Sequence, residues 1–171
     1  MRKNLRRITI EIIDRYQRDQ VAVQRVVIGV LYVWFGGLKV IPGLSPVDDL
    51  AGHAMSVITM GLVKPSVSMP LLAVAEILIG IGLISGKLPR ITVIVALGHM
   101  AGIFLTVFIL PGEIWATWGV PTLNGQYVVK NAILVCALLN VALRVFRKAP
   151  KKAVVHREAG LVDQLGQHVR R

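Results

Sequence analysis

The chain has 171 residues, 54% of them hydrophobic, with 20 Lys and Arg against 9 Asp and Glu for a net charge of +11. A mean hydropathy of +0.65 and a charged fraction of 17% exclude an ordinary soluble domain, in which about 25% of residues are charged. A single cysteine, Cys136, excludes an internal disulfide and any CxxC dithiol chemistry.

Residues 1–20 hold six Lys or Arg and three acids. Leu5, Ile8, Ile12 and Tyr16 share a helical stripe, while Ile8, Ile10 and Ile12 also alternate as a strand would. Two readings stand: a basic helix lying on the anionic inner leaflet, or a solvated leader that only sets topology. No small-residue cleavage site follows, so the next apolar run reads as an uncleaved membrane helix.

The first membrane helix is expected over residues 21–41. Its uncharged core, Val26 to Leu38, spans about 20 Å at ~1.5 Å per residue, short of a ~30 Å hydrocarbon slab. Arg25 and Lys39 therefore lie at or inside its edges, and Arg25 can snorkel to the interface. Pro42-Gly43 ends the helix. Ser45-Pro46-Val47-Asp48 then reads as a helix start, with a Ser cap, Pro at the first position and acid in the first turn. A short amphipathic helix is expected over about 46–60, lying on the outer face.

The second membrane helix is expected over 69–84, in the run MPLLAVAEILIGIGLIS, and it carries Glu76 near its middle. A carboxylate in hydrocarbon costs about 2.5–3.5 kcal/mol on insertion scales, so it implies a partner or a task. A short turn over 85–90 forces an antiparallel hairpin with the third helix, 91–110. That helix holds His99 between Gly98 and Gly102, a GxxxG spacing that favours close helix packing. Thr106 shares a face with His99. Trp115 and Trp118 in the next loop suit an interfacial aromatic belt. The fourth helix, 125–146, opens with Lys130 and Asn131 inside its apolar segment, and Ala132, Cys136 and Asn140 form a candidate packing seam. Residues 147–171 form a basic tail with Leu161, Leu165 and Val169 at helical spacing. Apolar-Pro-Gly after the first and third helices hints at two repeated hairpins.

Charge sets the expected orientation. Residues 1–25, 87–90 and 144–171 carry 7, 2 and 8 Lys or Arg, which is 17 of the 20. Both termini are therefore expected in the cytoplasm, with the chain a multi-pass protein of the cell (inner or plasma) membrane. The net charge is explained by orientation and an anionic inner leaflet, so no nucleic-acid partner is needed. The fold class is all-α integral membrane: a four-transmembrane-helix antiparallel bundle with a short amphipathic outer-face helix.

Four polar groups lie in the outer half of the bilayer or at its midplane, one on each membrane helix. Counted from the outer ends, Lys39 is about 3 Å deep, Lys130 about 8 Å, Glu76 about 10 Å and His99 about 16 Å. The candidate pocket therefore comprises Glu76, Lys39, Lys130 and His99, with Asn131 beside them. Trp34 and Tyr32 could flank a flat ligand, or simply pack in the core. If the groups converge, Glu76 pairs with Lys39 or Lys130. The alternative is that the lysines snorkel outward and His99 only bonds a neighbouring helix. His99 is the only histidine within a membrane segment, which argues against a bis-histidine haem, and no metal site is expected.

The order of these features carries a resemblance. Gly29, then Phe35-Gly36-Gly37-Leu38-Lys39, then Ala75-Glu76 with Gly80 and Gly82, then Asn124-Gly125-Gln126-Tyr127-Val128-Val129-Lys130-Asn131, resembles the DoxX/DoxD-like superfamily over about residues 22–146. The resemblance implies a small four-helix membrane bundle and carries over Lys39, Glu76 and Lys130. The name-giving member is a subunit of a thiosulfate:quinone oxidoreductase, and other relatives belong to membrane redox and sulfur-stress complexes. A distant animal relative is a receptor-assembly chaperone.

Three functions follow as expectations. The first is a membrane subunit of a quinone-linked redox or sulfur and oxidative-stress complex, with a polar pocket in the outer half of the bundle. The sequence requires no cofactor, and a quinone is compatible with the pocket. Redox partner proteins or a homo-oligomer are its expected partners besides lipid. The second is a non-enzymatic assembly or chaperone subunit. The third is a small proton-coupled transporter, disfavoured because such exporters are shorter and keep their Glu in the first helix.

Overall fold

The computed structural model describes residues 2–147. In chain order the elements are α1 (Arg2–Leu38), α2 (Asp48–Ile58), α3 (Pro65–Ser85), α4 (Pro89–Ile109), α5 (Pro111–Ile114), β1 (Trp115–Thr117), β2 (Val120–Pro121) and α6 (Leu123–Phe146). Four stretches are long and apolar enough to cross a membrane: Asp19–Leu38 of α1, Pro65–Ser85, Pro89–Ile109 and Leu123–Phe146. The protein is an all-α integral membrane protein, a four-helix antiparallel bundle. The basic tail lies outside the described residues except for Arg147.

The leader and the first span are one helix of 37 residues. No Pro or Gly interrupts the chain before Gly29, so nothing stops the helix between the two segments. Its length of about 55 Å exceeds the ~30 Å hydrocarbon slab, and its first half projects beyond the bundle. Ile12 and Tyr16 are exposed there.

Proline and glycine mark the ends of the other helices. Pro65, Pro89 and Pro111 each sit in the first positions of a helix, where a missing N–H costs nothing. α3 thus starts at Pro65, earlier than residue 69, and runs through Pro70. Gly86 closes α3 in the left-handed conformation (φ 63°), and a side chain there would collide with the Arg25 guanidinium. Thr122 caps α6, its hydroxyl accepting from Gly125 N–H at 3.0 Å.

Ser45 does not cap α2. That helix starts at Asp48 with Val47 at the cap position and no side-chain cap. Gly43, at φ 80°, turns its N–H toward Asp48 instead and donates to Oδ2 at 3.3 Å. The loop after α4 is also more ordered than expected. It forms the single turn α5 and a tight β1–β2 hairpin that puts Trp118 at its tip, 98% exposed, while Trp115 is half-buried against Ile114 and its neighbours.

The closest backbone approach between membrane-spanning helices runs between α1 and α3. A Cβ on Gly80 would lie 2.6 Å from the Gly29 carbonyl oxygen, and one on Gly36 would lie 3.0 Å from the Ala73 carbonyl oxygen. Backbone meets backbone here, with Gly29 and Gly36 spaced by two turns on one face. The GxxxG of Gly98 and Gly102 does not pack: both glycines face open space. The Ala132, Cys136 and Asn140 stripe is likewise exposed, because α6 buries Val128, Leu138 and Val141 instead. Asn140 still ties α6 to α1 by donating to Gln24 Oε1 at 2.6 Å.

Two apolar cores result. One, around Ile28, Ile79, Leu83, Val93, Leu138 and Val141, fills the half of the bundle nearer the termini. The other, around Leu50, Ala54, Leu110, Ile114 and Val128, fastens α2 and α5 to the opposite end, the α2 face. Between them lies a cavity.

Candidate functional site

The close α1–α3 approach sets the site. Lys39 follows the last turn of α1, its N–H bonded to the Gly36 carbonyl at 3.2 Å. Because Gly36 lies almost against the Glu76 Cβ, the lysine side chain reaches the carboxylate directly. Lys39 Nζ donates to Glu76 Oε2 at 2.7 Å, with each side chain only 7% exposed.

The other carboxylate oxygen is also engaged. Glu76 Oε1 lies 3.2 Å from His99 Nε2 on α4. His99 Nδ1 lies 3.2 Å from the Tyr32 hydroxyl on α1, and that hydroxyl also reaches the Ala96 carbonyl oxygen at 3.3 Å. The phenol has one proton, which it can give either to the Ala96 carbonyl or to Nδ1 of a neutral His99 whose Nε2–H donates to Glu76. The two rings are tilted by 59° at a centroid distance of 5.4 Å. The result is a continuous chain, Lys39–Glu76–His99–Tyr32, across three helices.

A buried ion pair is stable in hydrocarbon only when both charges are matched and the remaining polar atoms are satisfied. Here both carboxylate oxygens and both imidazole nitrogens have partners. The chain forms one wall of a cavity of about 320 Å³. The other walls are mainly apolar, from Phe35, Leu50, Ala54, Met100, Ile103 and Leu134, with α2 covering the α2 face. This is the smaller end of the ~300–1,000 Å³ range of ligand pockets, an apolar cleft with a few convergent polar groups.

The structure brings four of the six sequence-selected residues together: Glu76, Lys39, His99 and Asn131 all line the cavity. Lys130 does not join them. It is exposed, rotated ~100° away from Asn131 and off the cavity wall. Trp34 is also outside, 62% exposed and stacked on Phe35, because two residues from Tyr32 carry it to the far side of α1. Tyr32, expected either to flank a flat ligand or to pack in the core, is buried in the core and is also the end of the hydrogen-bonded chain. Its spacing of seven residues from Lys39, which puts both on one helical face, was the available signal. The contribution of α2 had no such signal.

His53 lies apart from the chain. It pairs with Glu113 on the surface, joining α2 to α5. Among the described residues no group of three or more His, Cys, Asp or Glu could hold a metal ion.

Residues 21–109 match the DoxX family. The chain belongs to the DoxX family. The matched stretch runs from the membrane part of α1 to the end of α4, so Lys39, Glu76, His99 and Tyr32 fall within it and Asn131 and Lys130 beyond it. No curated protein and no solved structure matches this DoxX chain.

Proposed function

We propose that this DoxX-family protein is a membrane subunit of a quinone-linked redox or sulfur and oxidative-stress complex, with the cavity receiving a quinone headgroup. The observation that carries this reading is the Lys39–Glu76–His99–Tyr32 chain along the wall of an otherwise apolar cavity inside the bundle. A quinone head is flat, apolar at its edges and bears two carbonyl acceptors. Its reduction needs protons, which a carboxylate–imidazole–phenol chain can relay. A lipid-soluble ligand also reaches such a cavity without crossing water.

The same reading sets the protein in the cell membrane with both termini in the cytoplasm, supported by 17 of 20 Lys and Arg on that side. The α2 face is then the outer face, and the projecting start of α1 meets the anionic inner leaflet. Redox proteins docking from outside the bundle, or a second copy, would complete the complex.

The test is purification in mild detergent followed by extraction of bound quinone, together with in vivo complementation by Glu76→Gln. Co-purified quinone and loss of complementation are the expected results. A quinone-free protein whose folded Glu76→Gln variant complements fully would overturn the reading.

A second reading, a non-enzymatic assembly or chaperone subunit, is favoured by one observation: Glu76 and His99 find all their partners within the chain without a ligand, as structural glue would. It predicts that deleting the gene lowers the abundance of a partner protein. Unchanged partner levels would refute it.

A further inference from the structure

The self-satisfied chain restricts what a ligand can touch. Glu76 spends Oε2 on Lys39 and Oε1 on His99, and His99 spends its second nitrogen on Tyr32. Thr106, also in the cavity wall, donates to the Ile103 carbonyl of its own helix at 2.6 Å. Two well-sheltered groups keep free hydrogen-bonding capacity. Lys39 has two ammonium protons beyond the one given to Glu76. The Asn131 side chain makes no hydrogen bond to any described residue, yet lines the same cavity from α6, where it is half-buried. Tyr127 also lines it, but is 41% exposed and sits one turn nearer the α2 face, at the rim.

We propose that Lys39 and Asn131 are the groups that touch the ligand, that Glu76 and His99 are positioning residues, and that the site takes ligands with hydrogen-bond acceptors while excluding organic cations. An ammonium can only donate, and an amide offers two N–H donors, so both groups select oxygen acceptors such as carbonyls. Glu76 is already neutralised by Lys39. An entering cation finds no unpaired negative charge and meets the lysine in a medium where like charges repel strongly. Glu76 fixes the ammonium in the cavity wall, and His99 fixes Glu76. The inference rests on the quinone reading only for the identity of the ligand; the division of roles stands on the bonding itself.

The experiment is titration calorimetry of the full chain in detergent micelles with four probes: decyl-benzoquinone, a long-chain methyl ketone, decanoate and tetraphenylphosphonium. Asn131→Leu removes no hydrogen bond within the protein, so it folds, and it is expected to weaken benzoquinone about five- to ten-fold. The double variant Lys39→Met/Glu76→Gln, neutral and similar in shape, is expected to weaken it by about ten-fold or more, since a charge-assisted bond is lost. Glu76→Gln alone leaves the ammonium without its counter-charge and shifts selectivity toward decanoate by about ten-fold over the ketone, which a merely structural Glu76 would not do. Tetraphenylphosphonium is expected not to bind.

Unchanged benzoquinone affinity in folded Asn131→Leu and in the double variant overturns the assignment while leaving the quinone reading intact. Ketone binding with the same Asn131 and Lys39 dependence, but no benzoquinone binding, does the reverse. Tetraphenylphosphonium binding abolished by Glu76→Gln overturns the assignment, and binding of no acceptor probe overturns both.

Discussion

The α1–α3 seam and α4 use glycine in opposite ways. At the seam, Gly29, Gly36 and Gly80 let two backbones touch, and a Cβ on any of them would lie within about 3.0 Å of the other helix. On α4, Gly98 and Gly102 meet nothing, and Gly102 borders the cavity. One set of glycines removes space between helices; in the other, Gly102 leaves space at the cavity and Gly98 is exposed. The seam sets Lys39 against Glu76 at 2.7 Å, and the open side gives the pair something to face. A rigid ion pair beside an empty volume is an arrangement for binding, and neither half provides it alone.

The largest effect should come from unpairing the seam's charges. Lys39→Met strands Glu76 in an apolar interior and is expected to cost about 3–5 kcal/mol, read as a loss of thermal stability in detergent. Adding Glu76→Gln should recover most of it, because the double variant buries no charge. Equal stability of single and double variants would show that the two groups are not coupled.

Next comes the seam's backbone contact. Gly80→Leu forces a side chain into the Gly29 carbonyl and Val33, and is expected to cost about 1–3 kcal/mol or prevent assembly. The same substitution at Gly98 meets open space and should change stability by about 0.5 kcal/mol or less. If the two positions respond alike, the contrast between the packed seam and the unpacked glycines of α4 is wrong. Tyr32→Phe is milder still: it removes one end of the chain and leaves His99 Nδ1 without its donor, for about 1 kcal/mol.

How far the sequence could be read divides along the same line. The four spans were legible because hydrophobic length is a property of the segment alone. Depth arithmetic also put Lys39, Glu76 and His99 within reach of one another. Depth is one coordinate, however, and rotation about the helix axis is another. Lys130 has a suitable depth and the wrong azimuth, one residue from Asn131. The glycines failed for a related reason. Gly98 and Gly102 carry the familiar spacing, but a spacing names a face without saying what stands opposite. Gly29 and Gly36, seven apart, form the working face because α3 offers Ala73 and Gly80 at the matching heptad. α2 was expected as an interfacial helix from its cap pattern and apolar positions, yet nothing local says that Leu50 and Ala54 would cover a cavity.

The smallest expected change in stability belongs to the sharpest test. Gly102 lies in the cavity wall with no atom within 4 Å of a would-be Cβ. Gly102→Leu should therefore add a side chain without displacing one, and replacing a helical glycine gains up to about 1 kcal/mol in propensity. Gly102 borders the cavity and is itself exposed, so the rotamers of the added side chain that turn inward take up the free volume. Stability should stay level or rise while affinity for decyl-benzoquinone falls by about ten-fold or more, since a branched four-carbon group takes a large share of about 320 Å³. Loss of stability would mean that α4 packs where open space is drawn. Unchanged affinity in a stable protein would mean that the ligand does not use this volume, and the pairing of a closed seam with an open pocket would lose its functional half.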